Sequence, residues 1–165
     1  MERREFLTVA GGVVMGATVY PTVGRALRPS QSPSLGPAVF ERRVQRLQEE
    51  LKTRKLDLLV TEPSTNFQYF AGYNPGRSER LILLMIPAKG TPALICPSFE
   101  VERIKRNGVI SDVRGWEEHE DPWKLVDRAG AEMKPPRRAG VAAGEPTTSH
   151  QSYLRLDDKV HGWRF

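Results

Sequence analysis

Between Phe40 and Leu51 the apolar side chains fall at 40, 44, 47 and 51, one stripe of a helix whose other faces carry Arg, Gln and Glu. The spacing predicts an amphipathic helix from about Ala38 to Lys55. Directly after it the period changes. LDLLVT, residues 56–61, is a short apolar run stopped by Pro63, which predicts a strand buried on both faces. A helix feeding such a strand implies a layered α/β domain.

Further along, RLILLMIP (80–87) and PALICP (92–97) are two apolar runs joined by AKGT. A short Gly-containing turn between such runs predicts an antiparallel hairpin. Ser98 is placed to cap a helix through about Lys105, with Gly108 as its stop. VISDVRGW (109–116) predicts a returning strand. Asp121 as N-cap and Pro122 at the first helical position open another helix, with Trp123, Val126 and Met133 turned inwards. RAGVAAG (138–144) predicts a last strand, and a weak helix is expected over 147–156.

The stretch between the first two strands is unusual. In TNFQYFAGYNPG, residues 65–76, four positions are aromatic. A Pro-Ser turn followed by one short helical turn accounts for them, with Thr65 as its cap. Phe67 and Phe70, three apart, then share the core-facing side. Tyr69 points elsewhere, towards the domain surface, and Gly72 lets the chain turn back.

The first residues do not follow these patterns. MERREFLTVAGGVVMGATVYPTVGRA has a charged start, an apolar stretch and then small residues, the layout of an export signal over 1–26. Arg3 and Arg4 followed by Phe6 and Leu7 resemble the twin-arginine export motif. The protein is accordingly expected to use the twin-arginine translocase and to be periplasmic or extracellular in a bacterium, or membrane-anchored if the signal stays uncleaved. Residues 27–38, with three Pro, three Ser and a Gly, read as a flexible linker. The domain is expected over 39–165.

Composition adds limits. The full 165 residues carry 39% hydrophobic and 27% charged residues, the balance of a soluble globular domain. A net charge of +5 could attract nucleic acid if clustered, but the bases alternate with acids along helical stretches such as ERRVQRLQEELKTRK, and no nucleic-acid partner is expected. Cys96 is the single cysteine, so an intrachain disulfide and a multi-Cys metal site are both excluded. Its setting, ALICP, is that of a small buried hydrophobe.

Motifs for chemistry are missing. His119 lies in EEHED, but adjacent residues on one turn cannot all aim at one ion. Acids before a helix also have an ordinary role at its positive end. His150 and His161 have no Ser or Cys partner at an interpretable spacing. No phosphate loop, H-E-x-x-H, C-x-x-C or G-x-S-x-G occurs.

Taken together, the helix RRVQRLQEELKTRKLD, the strand LLVT, then Asn66, Tyr69 and Gly72 in NFQYFAG, an Arg-bearing loop and the strand pair LILLMIPAKGTPALICP resemble the N-terminal domain of the creatinase, prolidase and Xaa-Pro aminopeptidase family. The likeness covers about residues 38–128 and, more weakly, up to 157. It implies a three-layer mixed sheet flanked by helices, of the ribonuclease H-like kind. It also implies a second, C-terminal domain holding two divalent metals on two Asp, one His and two Glu. The residues after Arg128 match none of that domain's motifs, so no catalytic residue, metal or cofactor is expected in this chain.

In that family the N-terminal domain looks like a dimerisation and gating element, and the resemblance makes Asn66, Tyr69, Tyr73, Arg77 and Arg80 candidates for lying near a peptide substrate. A guanidinium there could grip a carboxylate on two points; a solvated loop Arg is the plainer alternative. Three readings follow: a non-catalytic N-terminal domain of an exported metallohydrolase, truncated or stand-alone, that dimerises; half of an Xaa-Pro aminopeptidase completed by a separate catalytic-domain partner; or an envelope module that binds peptides.

Overall fold

A computed structural model describes residues 35–76, 78–133 and 139–141, and within them the predicted alternation of helix and strand is present. The chain runs α1 (Pro37–Thr53), β1 (Leu58–Thr61), α2 (Thr65–Ala71), β2 (Leu83–Pro87), β3 (Ala93–Pro97), a 3-10 turn (Ser98–Glu100), α3 (Val101–Asn107), β4 (Asp112–Trp116), α4 (Pro122–Glu132) and β5 (Ala139–Val141). The five strands lie in the order β4-β3-β2-β1-β5. β2 runs antiparallel to β1 and β3, whereas β3–β4 and β1–β5 are parallel.

The period-2 rule of strands explains the layers. Leu58 and Val60, Leu83 and Met85, Ile95 and Trp116 point to one face and pack with Val126 and Ala129 of α4. Leu84 and Ile86, Leu94 and Cys96, and Val113 point to the other, where they meet Phe67 and Phe70 of α2, Ile104 of α3 and Val44 and Leu47 of α1. The result is a three-layer mixed sheet flanked by helices, the expected fold class. β2 and β3 are buried at every position, as continuous apolar runs between neighbours must be. β4 buries only Val113 and Trp116, with Asp112 and Arg114 half-buried and Gly115 exposed, and occupies the edge among the described strands. There Arg114 donates to Asp112 Oδ2 at 2.8 Å and to Glu132 Oε2 at 2.7 Å, tying the edge strand to the end of α4.

Local details differ from the sequence expectations in four places. α1 begins at Pro37, because a proline at the first helical turn has its φ already set. Ser64, not Thr65, caps α2: its hydroxyl accepts the Phe67 N–H at 3.1 Å, while Thr65 is already helical. Ser98 caps nothing, since residues 98–100 form a 3-10 turn and α3 starts only at Val101. Gly108 does end α3, but with an extended φ of −98°. Space is what it supplies: a Cβ there would lie 3.0 Å from the Ile104 carbonyl and 3.2 Å from that of Ala71. At the α4 start the expectation holds, with Asp121 accepting the Trp123 N–H at 3.0 Å. The helix expected over 147–156, His150 and His161 lie outside the described residues, as does the signal motif Arg3, Arg4, Phe6 and Leu7.

Candidate functional site

β1 ends at Thr61, whose hydroxyl lies 3.2 Å from that of Ser64, and both are buried. This pair fixes the turn from which α2 departs. The short helix then buries Phe67, Phe70 and Ala71 and presents Tyr69 to solvent. Gly72 closes it at φ +74°, a left-handed conformation that a side chain would strain. Both phenylalanines therefore take the core role expected of them.

The five candidates diverge from this point. Tyr69 turns towards α1, where the Arg43 guanidinium stacks 4.1 Å above its ring and donates to its carbonyl oxygen at 2.9 Å. Asn66 is half-buried in the first turn of α2. Tyr73 is half-buried and packs against the core beneath α1, α2 and α3, so its ring is a packing group. Arg77 lies outside the described residues. Arg80 is exposed and reaches across to β4's far end, donating to Glu118 Oε1 at 2.7 Å with its guanidinium 5.4 Å from the Phe99 ring. No hydrogen bond, ion pair or ring contact joins Tyr69 to Tyr73 or Arg80 among the described residues.

The loop between α2 and β2 is held at several points. Asn74 donates to the Ser64 carbonyl at 3.4 Å and accepts the Gly76 N–H at 3.0 Å. The Ser78 hydroxyl accepts the Arg80 N–H at 3.1 Å, and the Trp116 indole N–H donates to the Leu81 carbonyl at 3.1 Å. Arg80, Phe99 and Glu118 thus converge from three segments at the carboxyl ends of β3 and β4, where binding sites in open α/β sheets gather. The sequence reading missed Arg43, Asn74, Phe99 and Glu118. A usable signal existed for Arg43: its neighbours at three and four residues, Val39, Phe40, Arg46 and Leu47, include no acid, so no helical ion pair can hold it.

These groups can bind, but they do not assemble a reaction centre. Cys96 is fully buried and its thiol is pushed up to about 12, chiefly by desolvation and then by Glu100, so it stays protonated and unreactive at neutral pH. His119 is exposed on the turn before α4.

The family model described as Creatinase/Prolidase N-terminal domain matches residues 43–165. The chain belongs to this family. Among curated relatives of this creatinase/prolidase N-terminal domain is an Xaa-Pro dipeptidase of Lactobacillus helveticus, 27% identical over 111 residues that cover 67% of this chain and 30% of the relative. An uncharacterized peptidase of Staphylococcus aureus strain USA300 is 30% identical over 83 residues, covering 50% and 24%. The chain therefore spans less than a third of the length of these relatives. Of solved structures, dipeptidase PepE from Mycobacterium ulcerans superposes with a TM-score of 0.64 at 28% identity, over 76% of this chain and 33% of that one. The N-terminal domain of an Xaa-Pro dipeptidase from Lactobacillus brevis gives 0.65 at 20% identity, over 74% and 91%, and so shows the fold alone.

The divalent metals that the family likeness implies need several carboxylate and imidazole ligands on one point. Among the described residues no three His, Cys, Asp or Glu side chains converge in that way. The described residues by themselves do not fit such a centre.

Proposed function

We propose that the chain is the non-catalytic N-terminal part of an exported Xaa-Pro aminopeptidase- or prolidase-like metallohydrolase, serving dimerisation and substrate gating while hydrolysis is carried by a catalytic domain. The observation that carries this reading is the match to an N-terminal domain model, in a chain that spans under a third of peptidase relatives. Arg80 and Phe99 lie at the carboxyl ends of β3 and β4, where binding sites in open α/β sheets gather, which supports a role at a ligand-facing rim, although the Arg80 guanidinium is itself paired with Glu118.

The test is direct. Purified protein supplied with Mn²⁺ or Co²⁺ is expected to release no N-terminal residue from X-Pro peptides, and metal-dependent turnover would refute the reading. Export is tested separately. Changing Arg3 and Arg4 together to Lys is expected to leave the protein in the cytoplasm by fractionation; undiminished export would remove the twin-arginine route.

A further inference from the structure

Four large apolar side chains stay exposed among the described residues, and three of them, Leu35 (52%), Tyr69 (45%) and Val109 (36%), line one cleft. The cleft holds about 490 Å³ and is further lined by Phe40, Arg43 and Gly72 and by the polar Thr65, Gln68 and Asn107. Single apolar residues on a surface need no explanation, but a cluster around a concavity does. Its walls are fixed by the backbone. Val109 donates its N–H to the Ala71 carbonyl at 2.9 Å, and the missing side chain of Gly72 leaves room where a Cβ would sit 3.3 Å from both Phe40 and Val109.

Arg43 gives the cleft its chemistry. Its guanidinium lies 4.1 Å from the Tyr69 ring centre and 5.0 Å from that of Phe40. Stacking of this kind pre-organises the planar fork. Arg54, Arg80, Arg103 and Arg114 each pair with a carboxylate, whereas Arg43, like Arg42, Arg46, Arg106 and Arg128, has none within ion-pair distance among the described residues, and it alone of these five lies over aromatic rings. Its recorded hydrogen bond, to the Tyr69 carbonyl, leaves most of its five N–H donors available. A stacked cation with no counter-ion among the described residues, set beside apolar side chains, is complementary to a carboxylate next to an apolar side chain.

We propose that this cleft docks a peptide segment of a partner protein, with an Asp or Glu on Arg43 and a neighbouring apolar side chain between Leu35, Tyr69 and Val109. The inference rests on the cleft alone and does not need the peptidase reading.

The experiment titrates the full isotope-labelled chain with the capped peptide Ala-Leu-Glu-Leu-Ala, and with the same peptide carrying Lys in place of Glu, following amide shifts by NMR. The Glu peptide is expected to give saturable shifts centred on Gly72 and Val109, at millimolar concentrations, and the Lys peptide none. Arg43→Gln is expected to weaken the Glu peptide roughly tenfold, the worth of one charge-assisted hydrogen bond. Val109→Ser, on the exposed wall, is expected to weaken it as well. Equal binding of both peptides, shifts elsewhere on the domain, no saturable shift, or unchanged binding by both variants would overturn the proposal. Should Arg43→Gln lose its amide dispersion, the comparison of the two peptides on the unaltered chain and the Val109→Ser variant decide the matter.

Discussion

Phe67→Ala is expected to lower the unfolding free energy by roughly 3–5 kcal/mol, the usual cost of deleting a buried ring that its surroundings cannot collapse upon. Phe67 has no exposed surface and packs in the same cluster as Ile82, Leu84 and Ile104. Its backbone is pinned by the Ser64 hydroxyl, so α2 cannot slide inwards to fill the space. The change is read as a lower urea midpoint at unchanged slope. Phe99→Ala serves as the control, because that ring is 63% exposed and its removal is expected to cost about 0.5 kcal/mol or less. A loss below about 1 kcal/mol for Phe67→Ala would mean that the ring does not close the core.

Gly115→Ala is expected to cost roughly 1–3 kcal/mol, through crowding and not through conformational freedom. A Cβ at this position would lie 2.8 Å from Ser98 Oγ, 2.9 Å from Ser98 Cα and 3.0 Å from Val101 Cγ2. The hydroxyl can rotate away; the Ser98 backbone cannot. Adding Ser98→Ala to the variant should therefore recover only part of the loss in thermal or urea unfolding. Full recovery would show that the hydroxyl alone made the contact. No recovery, with little loss to begin with, would show that the edge strand is free to move outwards.

Much of this fold was legible in the sequence because its signals are local. The stripe at Phe40, Val44, Leu47 and Leu51 specified a helix, and the unbroken apolar runs specified strands with neighbours on both sides. Asp121 and Pro122 marked the start of α4 to the residue. Single positions at junctions were not legible. Ser64 and Thr65 are both good caps, and the choice between them was made by the buried hydroxyl of Thr61, which no local rule contains. Ser98 was likewise a good local cap candidate, but the chain first makes a 3-10 turn over 98–100 and α3 begins only at Val101.

The candidate site was less legible for a related reason. Residues near one another in sequence were expected to act together, but on a short helix Tyr69 and Tyr73 are parted by Gly72. Tyr69 instead meets Arg43 from a helix 26 positions earlier, and Arg80 meets Glu118 38 positions later. Glu118 lies in a charged stretch where nothing local distinguishes it from ordinary solvated acids, and for Arg43 the one local sign is the lack of an acid three or four residues away. What sets them apart is the stacking of Arg43 on the Tyr69 ring and the pairing of Glu118 with Arg80, and both need segments distant in sequence to be brought together by the fold.

That order also has a consequence for the timing of folding. β1, β2 and β3 form a meander closed by nearby contacts, and β4 joins through the short crossover of α3. β5 instead pairs with β1, so that Leu58 waits for Ala139, about half the chain length further on. Contacts between such distant positions form late, since the loop must close before any pairing rewards it. During synthesis, with the amino end emerging first, β1 keeps an unpaired edge until residues 139–141 have left the ribosome. The nascent chain is most open to wrong strand partners, or to a chaperone, over that interval.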